Sequence, residues 1–217
     1  MKASPFNQVL FAALMAGCLL AVPACRNKDA KSAMDVTGTL AVAGFTQPRH
    51  SWELLAGYVP KQAPPVDAKI LYALDDALVE ALKQTSRRGF LRPRATRQCQ
   101  EIVVFEQKGS RSSALKYWIN VGHCMPADYL LVPQLLYWRE REGNQFSVNN
   151  PASVVMELFL VDVKNGQVKR YHFEETQRSL SENILDADKF LSRGGKWIPA
   201  MDLAREGMAR GLDELGL

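Results

Sequence analysis

The sequence predicts a mixed α/β domain: a sheet of about five strands with helices packed on it, an antiparallel meander near its end, and two further C-terminal helices. Three observations predict this. Val66, Ile70, Leu74, Leu78 and Leu82 recur every four residues, the apolar period of a helix. Short apolar runs flank that helix, at residues 36–45 and 127–141. Residues 153–163 and 168–174 are apolar or alternating and are joined through Asn165-Gly166, which is hairpin chemistry.

The elements follow in order. Val36 to Phe45 is short, apolar and punctuated by glycine, and reads as a first strand that Gln47-Pro48 ends. Residues 49–65 hold Trp52, Tyr58 and three prolines, and read as a loop. Asp67 caps the long helix, and Arg87-Arg88-Gly89 ends it. Phe90-Leu91 reads as a short strand and 95–106 as a helix, although Ile102 to Phe105 would also suit a strand. Ser112 or Ser113 caps the next helix, which carries Trp118 and ends at Gly122. Residues 127–141 read as a long strand in which Pro133 demands an edge position or a bulge, because proline cannot donate to a central ladder. Residues 153–163 form the strongest strand. The Asn165-Gly166 pair predicts a two-residue turn, and the returning strand puts Tyr171 and Phe173 on one face, Arg170 and His172 on the other. Ser179 to Glu182 is a capping box for a helix through Phe190 that Gly194-Gly195 stops. A last helix follows Pro199 and carries Leu203, Met208, Leu212 and Leu215.

The N-terminus carries an address. Lys2 precedes an apolar run from Val9 to Ala24, with small residues before Cys25 and the polar Arg26-Asn27-Lys28-Asp29 after it. This is the form of a secretory signal. Sixteen apolar residues span only about 24 Å as a helix, short of the ~30 Å hydrocarbon core. A cysteine at the cleavage point resembles the lipobox of bacterial lipoproteins, where the cysteine is acylated and becomes the mature N-terminus. Cys25 is the expected anchor. Cys18, after Leu14-Met15-Ala16-Gly17, is the alternative, and cleavage after Ala24 without lipid is a third. The expected organisation is a signal at 1–24, a lipidated N-terminus and flexible tether at 25–35, and one globular domain at 36–217. The tether spans roughly 16–19 Å as a coil.

The chain has 217 residues and a net charge of +4, or +3 once the signal removes Lys2. That is too mild to imply a nucleic-acid partner. Arg87, Arg88, Arg92, Arg94 and Arg97 nevertheless fall within eleven residues, either as a solvated helix end or as a contact for headgroups or an acidic partner. Cys99 and Cys124 remain after export. In an oxidising space they either pair, closing about 25 residues for roughly 3–4 kcal/mol, or sit apart as small apolar groups.

Searching for chemistry excludes more than it finds. His50, His123 and His172 show no paired helical spacing, and there is no His-Glu-x-x-His, nucleophile elbow or P-loop. No catalytic residue, metal site or cofactor is expected. Asp75-Asp76 and Glu174-Glu175 read as solvated surface. Glu157, inside an apolar strand, requires either a wet face or a partner. Trp52, in its proline-rich loop, and Trp138 with Arg139 and Arg141 at a charged strand end are candidate binding-surface residues, with Arg92 and Arg94 beside them.

The order of elements, with Leu40 to Phe45, Ala127-Asp128-Tyr129-Leu130-Leu131-Val132 and Val161 to Gly166, resembles the N-terminal domain of TolB-like proteins. The curli-secretion lipoprotein and the lipoprotein activators of penicillin-binding proteins share that layout. The resemblance implies a lipid-anchored, periplasm-facing accessory protein without catalysis, holding a protein or envelope component. Arg26 rather than Asp after the anchor fits outer-membrane sorting in such lipoproteins. The alternatives are an envelope hydrolase with a site near His123 or Glu157, and a small-molecule binding domain with a cleft by Trp52.

Overall fold

The computed structural model describes residues 36–61, 63–86, 89–106, 113–178 and 191–217. Cys18, Cys25, the tether, Arg87, Arg88 and the capping box at Ser179 to Glu182 lie outside the described residues. The described residues form seven strands and four α-helices. The strands are β1 (Leu40–Val42), β2 (Phe90–Leu91), β3 (Tyr129–Arg139), β4 (Glu142–Gly143), β5 (Val148–Asn150), β6 (Ser153–Asp162) and β7 (Val168–Thr176). The helices are α1 (Ala68–Thr85), α2 (Pro93–Glu106), α3 (Ala114–Cys124) and α4 (Ala200–Leu215).

Five strands form one mixed sheet in the order β2-β1-β3-β6-β7, and β4 and β5 make a separate antiparallel pair. β1 is parallel to both β2 and β3, whereas β3, β6 and β7 are antiparallel. This is the expected mixed sheet with its meander. No described helix is long and apolar enough to cross a membrane.

Alternation along the strands divides the core in two. Val42, Leu131, Trp138, Met156, Leu158 and Phe173 face α1 and α4. Ala41, Leu130, Val132, Phe159 and Val161 face the other way, against Cys99 and Val103 of α2 and Trp118 and Val121 of α3. α1 begins as its sequence requires, with the Asp67 carboxylate accepting from Lys69 N–H at 2.8 Å. Ser113 caps α3. α4 has no cap of its own at Pro199; instead Glu140, at the end of β3, accepts from Ala200 N–H at 3.0 Å.

Four expectations are corrected. The first strand is three residues long rather than ten. Phe45 N–H leaves the ladder to donate to Asp75 Oδ1 at 2.6 Å, and the other Asp75 oxygen accepts from Arg97. Asp75 is therefore buried, not solvated. Pro133 lies in a central strand, at neither an edge nor the β3 bulge, which falls between Leu135 and Tyr137. Its carbonyl accepts from Thr46 N–H. A residue's N–H and C=O leave a strand on the same side, so the missing donor faces the gap where β1 has already ended. The β6–β7 turn is longer than two residues: Val161 pairs with Val168, and Asp162 N–H donates to the Gln167 carbonyl. Val163 causes this. It is buried against Gly122 of α3, and its N–H donates to the Asp128 carbonyl at 3.0 Å. Asp162 then accepts from both the backbone and the side-chain amide of Asn165 at 2.8 Å.

Candidate binding pocket

Among the described residues, α2 and α3 cover only part of their face of the sheet. Beyond them β3, β6 and β7 present polar side chains, and the loop at 54–60 arches over these to close a pocket of about 280 Å³. Its floor holds Glu157 of β6 and the residue opposite it on β7, His172. Gln134, opposite Glu157 on β3, lies outside the lining and donates to the Glu53 carbonyl at 2.9 Å.

Glu157 is completely buried. An isolated carboxylate there would be prohibitively costly, and three hydrogen bonds compensate it. Arg170 Nε donates to Oε2 at 2.8 Å and Arg170 Nη2 to Oε1 at 2.6 Å. His172 Nδ1 lies 2.8 Å from Oε1. Both partners stay partly in solvent, at 40% and 41% exposure. Donating to the Glu157 carboxylate raises the Arg170 guanidinium above its ordinary value, so that arginine is a permanent cation. The remaining imidazole nitrogen of His172 is 3.4 Å from Glu174. On the roof, Gly57 has φ +88°, a conformation that strains any side chain, and a Cβ there would sit 3.2 Å from Arg170 Nη2, so a substitution would also press on that guanidinium. Tyr58, 72% exposed, Pro60, Tyr137 and Arg139 complete the walls.

The structure separates the residues singled out in the sequence. Trp138 is 8% exposed and packs in the α1–α4 core. It cannot form a surface with Arg139, because neighbours in a strand point to opposite faces. Arg139 lines the pocket and donates from Nε to the Pro151 carbonyl at 3.1 Å. Arg141 instead donates to the Trp197 carbonyl, tying β3 to the approach of α4. Trp52 is 49% exposed and stacks on His50 at 4.0 Å, outside the pocket lining. Arg92 and Arg94 are exposed at the start of α2, by the β2 edge, while the pocket lies on β3, β6 and β7. Arg97 is spent on Asp75 and lies 4.7 Å from the Tyr72 ring.

Cys99 and Cys124 are bonded to each other, Cα to Cα 5.8 Å, and link α2 to α3. Cys124 therefore offers no thiolate to a metal or a substrate beside His123. No group of three metal-ligating side chains occurs among the described residues.

Arg170, His172, Gly57 and Tyr58 were not singled out as site residues by sequence reasoning. The usable signal was Glu157: a carboxylate inside an apolar strand requires a cation on the neighbouring strand.

Comparison with known proteins adds distant likenesses. PelC from Paraburkholderia phytofirmans, solved as a dodecamer, is 14% identical over 80% of this chain and 84% of that one, with a TM-score of 0.39. The C-terminal domain of LpoB from Salmonella enterica is 13% identical over 67% of this chain and 89% of that one, at 0.37. Lipoprotein GNA1162 from Neisseria meningitidis is 13% identical over 72% and 98%, at 0.36. No family model and no curated protein matches the sequence. At these scores the likenesses assign neither a family nor a partner.

Proposed function

We propose that this chain is an exported, lipid-anchored accessory protein of the bacterial envelope. It holds a protein or envelope component at the part of its sheet that the described helices leave uncovered and carries out no chemistry on it. The signal-like N-terminus ending at Cys25 supports export and anchoring. Several acyl chains would hold the domain at the bilayer, and the tether would raise its local concentration against a partner in the same layer.

The observation that carries the binding reading is the state of Glu157 and His172. They are the described pocket groups best suited to proton transfer, yet both Glu157 oxygens already accept hydrogen bonds, and His172 stands between two carboxylates. The aliphatic hydroxyls of the pocket lining, Ser153 and Thr176, bond each other at 2.6 Å. Thr176 lies four residues along β7 from His172, about 13 Å at the rise of a strand. A fixed row of charged and polar groups under a tyrosine-bearing loop suits recognition better than turnover.

A photoreactive amino acid in place of Tyr58 tests this in intact cells. The expected result is a discrete adduct that disappears with Arg170→Ala and is absent when the probe replaces Tyr72, on α1. Equal labelling from both positions would contradict the reading.

A further inference from the structure

The outer edge of β7 carries a charge pattern complementary to its own reverse. Lys169-Arg170-Tyr171-His172-Phe173-Glu174-Glu175 runs two cations, an aromatic, a histidine, an aromatic and two acids. β7 is the last strand of the sheet, nine residues long, with a strand partner on one side only among the described residues. The direction of its backbone groups follows from the turn. Asp162 N–H donates to the Gln167 carbonyl, so that pair is hydrogen-bonded, and Val161 with Val168 is the next pair along. Bonded and non-bonded pairs alternate in an antiparallel ladder. Lys169, Tyr171 and Phe173 therefore direct their backbone groups at β6. Those of Arg170, His172 and Glu174 point away, toward the open edge.

We propose that β7 pairs antiparallel with β7 of a second copy of this chain, centred on His172, so that two five-stranded sheets become one. In that register Arg170 faces the partner's Glu174, Lys169 faces the partner's Glu175, Tyr171 faces the partner's Phe173, and the twofold axis repeats each pair. The hydrogen-bonded positions are Arg170, His172 and Glu174, the residues whose backbone groups point outward. No like charges stand opposite. Moving the centre by two residues sets Arg170 against the partner's Arg170, or Glu174 against the partner's Glu174, and such pairs destabilise a sheet. Glu175 is already engaged with Arg193 at 2.6 Å, so the Arg170–Glu174 pair decides the register. Arg170 holds Glu157 through Nε and Nη2, which leaves Nη1 for the partner. An open edge of this length is a template for strand addition, and here its sequence selects its own copy. The two pockets would then lie side by side on one continuous face.

Cysteines at the ends of the pairing test this in membranes carrying the full chain. In the proposed register Val168 and the partner's Thr176 are a hydrogen-bonded pair, with Cα atoms about 5.5 Å apart, within disulfide reach. The double variant Val168→Cys/Thr176→Cys should give a covalent dimer under mild oxidation. Either single variant should not, because its thiols are eight residues out of register, about 26 Å. Adding Glu174→Pro removes an outward N–H and spares the ladder to β6, and should cut the crosslink at least tenfold. Glu174→Lys should do the same by opposing Arg170, and it decides the matter if the proline variant loses protease resistance. Crosslinking by the single variants, crosslinking undiminished by Glu174→Lys, or a protease-resistant double variant that stays monomeric would each overturn the proposal.

Discussion

Glu157 shows how a single residue organises the site. Its carboxylate is fully buried, while the two groups that neutralise it reach solvent. Removing the acid strands a cation and an imidazole over an empty floor; removing a buried partner typically costs several kcal/mol. Glu157→Ala should lower stability by about 3 kcal/mol in urea titration, a figure discounted for the exposure of Arg170. Asp162 gives a pH-dependent counterpart. Burial alone would raise its carboxyl, but donors from Asn165 and Lys164 hold it below the ordinary carboxylate value. A depressed folded value contributes stability above the unfolded pKa and loses it as pH falls through the folded one. Wild type should therefore lose stability more steeply below about pH 4 than Asp162→Asn, as read by urea midpoints at several pH values. The sequence makes Glu157 conspicuous but hides its partners, because pairing depends on loop length. A two-residue Asn165-Gly166 turn would set Lys164 opposite Gln167 and hence Glu157 opposite Glu174. Val163, drawn into the α3 interface, shifts the register by two, and His172 takes that place. No local pattern around residue 165 reveals that burial.

Among the elements, α4 and the α2–α3 pair are held by different means. α4 lies close to the sheet because two of its turns carry glycine. A Cβ on Gly207 would fall 2.5 Å from Met156 Cε and 2.7 Å from the Phe173 ring, and one on Gly211 would fall 2.5 Å from the Tyr171 ring. Gly207→Ala gains up to about 1 kcal/mol of helix propensity but overpacks the interface by about 1–3. The expected net loss is about 1 kcal/mol, measured as a lowered denaturation midpoint. α2 and α3 depend instead on the Cys99–Cys124 bond. Replacing both cysteines by serine should cost roughly 3–4 kcal/mol, and reductant should reproduce that loss in wild type and have no effect on the double variant. The four-residue apolar period of α1 and the Asp67 cap were legible because both are local. The extent of β1 was not, since Phe45 leaves the ladder for Asp75, a carboxylate thirty residues away in sequence.

At the scale of the molecule, the described helices cover the sheet along one face and over only part of the other, and among the described residues that asymmetry leaves a candidate site. The mixed sheet and its meander were readable from apolar runs and turn residues. The exposed surface was not, because strand alternation buries Trp138 and sends Arg139 to the opposite face, a detail that composition cannot convey. Under the proposed function, export to an envelope leaflet would decide what such a site meets, and the N-terminal mass reports on export directly. Intact-mass measurement of the protein extracted from membranes should find a chain beginning at Cys25 and carrying the mass of a diacylglyceryl group with or without a third acyl chain. A full-length chain recovered from the cytosol, with residues 1–24 still attached and no acyl mass, would contradict a lipid-anchored envelope protein.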